Sequence, residues 1–258
     1  LSELNEFIPP LEGWSDERRA ILPFEDELLQ SSQQAPAIHI GAPRVSFVTS
    51  LYRGGEFLHG YLENVASAAL QASGEVLLVD ANCDDHDSEA IDRFFAANPS
   101  LRRIFRIFRL DRDPGLYACW QFAIEHSSAE FISNANIDDR RSPSHTSRLV
   151  DLLSSEPGLV AAAGSISAVF SARVVDWHTL ADNQIWFHDL EAASFGMADL
   201  YLQDENGNVR SRNVLHCMPV WRRSLHERYG FFDEERYGTS ADWAFWLKCA
   251  KAGERFGF

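Results

Sequence analysis

AEFISNANIDDRRSP, residues 129–143, is the stretch from which the fold is most readily predicted. An apolar, strand-like run ends at Asn136, the adjacent acids Asp138 and Asp139 follow, and Ser142-Pro143 then begins a helix, since serine caps helices and proline suits a first turn. In parallel sheets, ligands bind where the strands end. The acid pair therefore predicts a site for Mg²⁺ or Mn²⁺, which bind carboxylates while keeping water and phosphate as further ligands. The alternative is an acidic turn, which the start of a helix favours by itself.

Strands and helices alternate on the N-terminal side of this stretch. VSFVTSL (45–51), EVLLVD (75–80) and 103–110 read as strands, and segments 57–70, 87–97 and 115–126 read as helices. This alternation predicts an α/β protein with a mostly parallel central sheet flanked by helices. Polar residues mark the predicted strand ends, which are Thr49–Tyr52, Asp80–Asp85, Leu110–Asp113 and Asn134–Arg141.

The alternation breaks down after Arg141. The sequence predicts strands over 159–170 and Val214–Val220, and helices over Trp221–Arg228 and Ser240–Ala250. Between them, Asp176–Gly207 is long, aromatic and polar, which favours a substrate-facing insertion. Residues 1–43 are predicted to be an N-terminal extension and linker with one short helix around Asp16–Gln30, and residues 44–258 the main domain.

Composition narrows the class of partner. The net charge of −15, from 23 basic and 38 acidic residues, argues against nucleic acid, whose phosphates are neutralised by lysine and arginine. The four cysteines form no C-x-x-C pair, and no apolar run approaches the roughly 18 residues of a membrane-spanning helix. With no signal-peptide pattern either, we expect a cytoplasmic protein without a transmembrane segment, or one peripheral to the inner face of a membrane.

Three further patterns bear on chemistry. Gly54-Gly55 matches neither the dinucleotide fingerprint nor the P-loop. Asp242 falls in the first turn of the predicted helix 240–250, where it is either a dipole-complementing acid or a general base. His178 and His188 lie near acids but at no metal-ligand spacing, which favours polar loop residues.

Together these segments resemble the family 2 glycosyltransferases of the GT-A fold, from about Arg44 to Phe258. The matching segments, in chain order, are Thr49-Ser50-Leu51-Tyr52, Asp80-Ala81-Asn82-Cys83-Asp84-Asp85, Asp138-Asp139, MPVWRRSLHERYGFFDEERYG (218–238) and Ala241-Asp242-Trp243-Ala244-Phe245-Trp246. Ala81 and Ala241 depart from the family pattern, which often has an acid at each position. The resemblance implies a nucleotide-binding half over about 44–141 and an acceptor-binding half over about 142–258.

The resemblance also implies roles for single residues. Asp242 would be the catalytic base of an inverting transfer, and Asp138 and Asp139 would hold Mn²⁺ or Mg²⁺ on the donor's diphosphate. The nucleotide sugar would be bound by Thr49, Leu51, Tyr52, Asp80, Asn82, Arg112 and Asp138. Aromatic residues and one histidine would face the acceptor, namely Trp186, His188, Trp221 and Trp243.

The implied activity is a hexosyltransferase-like transfer from a nucleotide-diphosphate sugar to a saccharide, lipid-linked or protein acceptor, in bacterial-type polysaccharide or glycoconjugate synthesis. Two alternatives remain open at this point. One is a sugar nucleotidyltransferase, for which Arg53-Gly54-Gly55 is the only hint of the usual glycine-rich basic loop. The other is a non-catalytic carbohydrate-binding module on the same fold.

Overall fold

The computed structural model describes residues 41–83, 85–167, 185–186, 194–203, 209–211 and 213–258. The helix predicted around Asp16–Gln30, and with it most of the N-terminal extension, lies outside these residues. So do Asp84, His188 and most of the aromatic insertion.

Eight of the strands form one central sheet. They are β1 Val45–Leu51, β2 Glu75–Asp80, β3 Phe105–Arg109, β4 Phe131–Asn134, β5 Leu159–Ala162, β8 Ser194–Phe195, β11 Val220–Arg222 and β12 Arg255–Gly257. Their order is β3-β2-β1-β4-β11-β5-β12-β8. The strands β1 to β4 are mutually parallel where they pair, whereas β11 is antiparallel to both of its neighbours. The predicted α/β class with a mostly parallel sheet is confirmed.

Smaller elements complete the architecture. Two two-stranded ribbons pair β6 Ile166–Ser167 with β7 Ile185–Trp186, and β9 Tyr201–Gln203 with β10 Val209–Ser211. The helices are α1 Leu58–Ala72, α2 Asp85–Ala97, α3 Leu116–Glu125, α4 His145–Ser155, α5 Met197–Leu200, α6 Ser224–Tyr229, α7 Glu234–Tyr237 and α8 Ala241–Lys251. Short 3₁₀ turns span Gly55–Phe57, Pro99–Ile104 and Gly238–Ser240.

Alternating side chains on the buried strands separate two hydrophobic cores. On β2, Val76 and Leu78 pack with α1, α2 and α4, whereas Leu77 and Val79 pack with α3 and α8 on the other face. This follows from the two-residue period of a strand. Helix α1 buries Leu58, Leu62 and Val65 at helical spacing, whereas Leu70, five residues after Val65, lies off this face and is 48% exposed.

Two predictions in the second half are wrong. Residues 214–218 form turns and bends rather than a strand, with Met218 at φ +49°, and the strand β11 begins only at Val220. Trp221, predicted to begin a helix, lies in that strand opposite Ile132 of β4, and the helix starts at Ser224. Pairing with β4 and β5 overrides the local helical pattern here.

The strand predicted over 159–170 is interrupted. Strand β5 ends at Ala162 and β6 begins at Ile166, with Gly164 between them. These two strands belong to different sheets, so the apolar run does not form one continuous strand.

Candidate functional site

The acid pair follows β4, at the carboxyl edge of the sheet. Asp138 is exposed and Asp139 is partly buried, and Asn136 Nδ2 donates to Asp139 Oδ2 at 3.0 Å. Burial and, after it, the charge of Asp138 raise the pKa of Asp139, while Asn136, Arg141 and His216 oppose the shift. The pair is thus a crowded negative site, of the kind that a cation relieves.

Polar contacts that sequence reasoning missed hold this loop against α1. The side-chain amide of Asn64 donates to the carbonyl of Arg141 at 2.8 Å and accepts from its backbone N–H at 3.0 Å. The Arg140 guanidinium donates to the carbonyl of Phe57 at 2.8 Å, and Nη1 donates to the carbonyls of Ile137 and Asp139, at 2.8 Å each. The acid pair therefore rests on a frame fixed from outside its own loop.

Arg141 lies buried behind the acid pair. Its guanidinium donates to Ser133 Oγ at 3.0 Å, to Thr146 Oγ1 at 3.3 Å and to the Asn134 carbonyl at 2.7 Å. The guanidinium also lies over the ring of Phe47. Burial lowers the pKa of Arg141 to about 10, with the charge of Asp139 opposing the shift. Arg141 is therefore still charged at neutral pH.

Residues predicted to bind the nucleotide divide into exposed and buried groups. Tyr52 is 45% exposed, and Asn82, at φ +60°, and Arg112 are exposed as well. Thr49 and Leu51 are fully buried. The Thr49 hydroxyl is hydrogen-bonded to that of Tyr61, so it supports the end of β1 from inside the core.

Asp80, at the end of β2, is almost fully buried and engaged on both oxygens. Oδ1 accepts from the backbone N–H of Cys83 at 2.8 Å, and Oδ2 accepts from Arg109 Nε at 2.9 Å. Arg109 is itself exposed, and its Nη2 donates to Ser88 Oγ at 2.9 Å. At this strand end a guanidinium, rather than the predicted carboxylate, is therefore presented to solvent.

The Gly54-Gly55 turn already has an anion. The backbone N–H groups of Gly54 and Gly55 donate to the two carboxylate oxygens of buried Asp87, at 2.7 and 3.0 Å. A phosphate would have to displace that carboxylate. The contact therefore argues against the glycine-rich phosphate loop that a nucleotidyltransferase would need.

Asp242 lies in the first turn of α8, as predicted, on the other face of the sheet from α1. The hydroxyl of Tyr117 donates to Asp242 Oδ1 at 3.2 Å, and Asn213 Nδ2 donates to Oδ2 at 3.1 Å. Neither donor is near Asp242 in sequence. The carboxylate is partly buried, and the two hydrogen bonds hold it in one orientation.

Residues 213–218, here called the joining segment, bring the two acid sites together. Burial, followed by the charges of Asp139, Asp138 and Asp242, raises the pKa of the Cys217 thiol to about 12, so carboxylates of both sites act on this one side chain. The far end of the segment is held by His145, whose Nε2 donates to the Met218 carbonyl at 3.0 Å. Burial lowers the pKa of His145 to about 4, so this ring is neutral at physiological pH.

The four residues predicted to face the acceptor differ in how the structure places them. Trp221 is 1% exposed and packs against Trp246 and Phe232, with its indole N–H donating to His226 at 2.9 Å. It has no free face for a sugar, and the prediction is wrong for this residue because an aromatic on a central strand packs in the core. Trp243 is partly buried. The Trp186 side chain and His188 lie outside the described residues.

The acid pair fits a divalent cation of the predicted kind. Within the described ranges, no three His, Cys, Asp or Glu side chains are grouped to hold a metal ion. Mg²⁺ and Mn²⁺ need fewer protein ligands, because one or two carboxylates suffice when water and substrate phosphates fill the other positions. The raised pKa of Asp139 beside Asp138 shows a site where an added positive charge would be favourable.

The helices in the described part of the chain include none with the length and apolar character needed to cross a bilayer.

The fold is GT-A-like, as the comparison with solved structures shows. Residues 1–349 of TarS from S. aureus match with a TM-score of 0.59 at 14% identity, over 80% of this chain and 55% of that one. The mannosyltransferase PcManGT from Pyrobaculum calidifontis, in complex with GDP-Man and Mn²⁺, matches with a TM-score of 0.56 at 18% identity, over 99% of this chain and 63% of that one.

No family model and no curated protein sequence matches the chain. The chain spans between about half and two thirds of the length of these two solved structures, at 55% and 63%. At such low identity the likeness establishes the fold, and activity has to be argued from the site.

Proposed function

We propose that the protein is a glycosyltransferase that moves a sugar from a nucleotide-diphosphate donor to an acceptor hydroxyl, with a divalent cation and with inversion. One observation supports this above all. Asp138 and Asp139, which follow β4, and Asp242, at the start of α8, all act electrostatically on the Cys217 thiol, so the two acid sites lie near one cysteine. A cation site and a separately held carboxylate are the two parts that such a transfer needs.

The acid pair would hold the cation, and through it the diphosphate. A bound Mg²⁺ or Mn²⁺ would supply charge stabilisation for the departing nucleoside diphosphate. Asp138 is exposed, so its carboxylate is accessible to an ion, while Asp139 is oriented by Asn136 and backed by Arg141. The buried guanidinium keeps the local field from being purely negative, which favours an anionic donor.

Asp242 would act on the acceptor. Its carboxylate would take the proton of the attacking hydroxyl as the new glycosidic bond forms and the bond to the diphosphate breaks. A single displacement of this kind inverts the anomeric centre. The Tyr117 and Asn213 hydrogen bonds keep the carboxylate in one orientation for that step.

The nucleotide would lie across the ends of β1, β2 and β3. Tyr52 would offer an aromatic face, and Asn82, Arg109 and Arg112 would offer polar groups. Thr49, Leu51 and Asp80 would shape this surface from beneath, since all three are buried. Arg109 joins the predicted set because its ion pair with Asp80 places its guanidinium at this edge.

The finer parts of the proposal rest on resemblance. Family 2 membership, a hexosyltransferase reaction and a place in bacterial-type polysaccharide or glycoconjugate synthesis follow from the motifs quoted above. TarS structures with UDP and with UDP-GlcNAc, and PcManGT with GDP-Man, support a nucleotide-sugar donor. The acceptor would be a saccharide, a lipid-linked group or a protein, met in the cytoplasm or at the inner face of a membrane.

A thermal-shift screen tests the central proposal. UDP, GDP, CDP and ADP are each added with Mn²⁺, with Mg²⁺ and with EDTA, and Tm is measured. We expect at least one nucleoside diphosphate to raise Tm, more with the cation than with EDTA, because binding to the folded state alone stabilises it. Asp151→Asn, at an exposed ion pair with Arg44, is the matched control and should respond like the wild type. If no nucleotide raises Tm with either cation, the proposal is wrong.

A further inference from the structure

The carboxylate of Asp242 accepts hydrogen bonds from two residues that lie far from it in the sequence. We propose that Tyr117 and Asn213 are positioning residues, which hold the Asp242 carboxylate with one donor on each oxygen so that it meets the acceptor hydroxyl in a fixed orientation. This inference rests on the proposed function of Asp242 as the base. It adds two residues to the reaction that the sequence did not indicate.

Both oxygens of Asp242 can still accept a hydrogen bond from the acceptor hydroxyl. Tyr117 donates to Oδ1 at 3.2 Å and Asn213 donates to Oδ2 at 3.1 Å. A carboxylate has about four lone-pair sites on its two oxygens, so each oxygen of Asp242 keeps one after these bonds. Within the described residues, Asn213 Oδ1 is buried without a hydrogen-bond partner. The amide is nevertheless oriented with its NH₂ group toward Asp242, because the opposite orientation would set oxygen against oxygen.

Tyr117 can follow a change in the protonation of Asp242. Its hydroxyl has one proton and two acceptors within reach, Asp242 Oδ1 at 3.2 Å and the Thr239 carbonyl at 3.0 Å. While Asp242 is ionised, the proton is shared toward the carboxylate. When the acceptor's O–H bond breaks and its proton passes to Asp242, Tyr117 can turn fully to Thr239 and remain hydrogen-bonded. The proton on Asp242 is later released to solvent.

The backbone fixes the position of Tyr117. The N–H of Tyr117, at the start of α3, donates to Glu234 Oε2 at 3.2 Å. Gly115, just before this helix, has φ +101°, which L side chains rarely adopt, and a Cβ there would lie 2.7 Å from the same oxygen. Glu234 therefore contacts the start of α3 and fixes the backbone of Tyr117, whose hydroxyl reaches Asp242.

Two titratable groups on which Asp242 acts, Tyr117 and Cys217, are uncharged at physiological pH. Burial, then the charges of Asp242 and Glu234, raise the pKa of Tyr117 well above its usual value. Burial and the surrounding acids likewise keep the Cys217 thiol protonated. Glu234, from α7, touches the backbone of Tyr117 rather than Asp242. Removing the Tyr117 hydroxyl or the Asn213 amide should therefore have a measurable effect on the Asp242 carboxylate.

Titration of Asp242 by carbon-13 NMR of labelled aspartate tests the proposal without any substrate. The Asp242 signal is identified by its absence in Asp242→Asn. Removing a donor disfavours the ionised carboxylate, so its titration midpoint should rise by about half a pH unit or more in Tyr117→Phe and in Asn213→Leu. Tyr229→Phe is the matched control, because it removes a hydroxyl bonded to Glu254 at 2.6 Å, away from the site. Its Asp242 midpoint should not move.

Donor hydrolysis separates positioning from folding. UDP-GlcNAc and GDP-mannose are incubated with Mn²⁺, with water as acceptor, and nucleotide release is measured against pH. Both variants should lose about tenfold in kcat with the KM for the donor unchanged, and their acid limb should move to higher pH. Unmoved midpoints in both variants would overturn the positioning role. Moved midpoints with no nucleotide release by the wild type would instead reject the proposed function alone. If Tyr117→Phe is unfolded by circular dichroism, Asn213→Leu decides.

Discussion

The Asp138–Asp139 loop and the start of α8 both present carboxylates, but the electrostatic surroundings of these carboxylates differ. In the loop, two acids lie side by side with one amide donor, and burial and mutual repulsion raise the pKa of Asp139. At α8, Asp242 stands alone with a donor on each oxygen and a helix N-terminus behind it. A further positive charge would therefore stabilise the loop, whereas Asp242 already has a hydrogen-bond donor on each oxygen.

This difference predicts a division of labour between the two regions. A crowded, partly exposed acid pair is suited to a hard cation and poorly suited to exchange a proton cleanly. A single, well-held carboxylate is suited to take a proton and poorly suited to hold a cation. The joining segment connects the two regions, since its Asn213 donates to Asp242 and the carboxylates of both regions raise the pKa of its Cys217. Each region can therefore be disabled separately.

The largest expected effect is on turnover when Asp242 is changed. Asp242→Asn keeps the size and one acceptor oxygen but removes the base, so turnover should fall about a thousandfold. Nucleotide binding in the presence of Mn²⁺ should persist, because the acid pair is intact. Steady-state kinetics and thermal shift measured on the same preparation check both halves.

Asp151→Asn is the control for that experiment and should leave turnover unchanged. Equal loss of nucleotide binding and turnover in Asp242→Asn would show that the two regions are not separate. A wild-type protein that binds nucleotide but turns over none of the donors would favour the non-catalytic carbohydrate-binding module.

The next largest effect concerns the frame behind the acid pair. Arg141→Met should lower the free energy of unfolding by about 3 kcal/mol, because it leaves buried polar groups on Ser133, Thr146 and Asn134 unpaired. Arg44→Met removes an arginine from an exposed ion pair with Asp151 and should cost less than about 1 kcal/mol. Urea denaturation of both variants measures the contrast. Equal costs would show that Arg141 is not the anchor of the loop.

The sequence predicted the two carboxylate regions better than it predicted what holds them. The runs 45–51 and 75–80 are continuous and apolar, so their strands were found with their bounds, and the adjacency of Asp138 and Asp139 at a strand end marked that site. Asn64, Arg141, Tyr117 and Asn213 gave no local signal, because they act on partners 77, 7, 125 and 29 residues away. Three of these four contacts come from tertiary packing, which local periodicity does not record.

The same reasoning accounts for the wrong predictions. Trp221 sits in a segment of helical character, but two neighbouring strands pair with it and place the indole in the core. Asp80 stays a predicted nucleotide-site residue, but the sequence did not indicate that Arg109, 29 residues away, pairs with its carboxylate and covers it. Both outcomes depend on which strands are neighbours, and sheet order is a property of the whole chain.

Cation binding should separate the loop from Asp242 with a smaller effect. Asp138→Asn and Asp139→Asn should each weaken Mn²⁺ in the presence of a nucleoside diphosphate by about tenfold or more, the loss that even outer partners of a metal cause. Asp242→Asn should bind Mn²⁺ like the wild type. Isothermal titration with Mn²⁺ in saturating UDP or GDP measures all three. Equal weakening by the Asp242 substitution would erase the distinction between the regions.

The smallest expected effect is on the stability of the protein without metal. The folded-state pKa of Asp139 is raised by burial and by Asp138. The stability linked to this carboxyl is therefore present at low pH and lost as pH rises through the raised pKa. Asp139→Asn removes that loss, so with EDTA at pH 7 its Tm should exceed that of the wild type by about 1 to 3 °C, and the gap should close near pH 4. Asp151→Asn, whose carboxylate is exposed and paired, should show no such gain.

A gain for Asp139→Asn that reverses sign when Mn²⁺ and nucleotide are added would show that the acid pair lowers the stability of the metal-free protein but is needed for cation binding. A metal-free Tm at pH 7 no higher than that of the wild type would mean that Arg141 and Asn136 already compensate the charge.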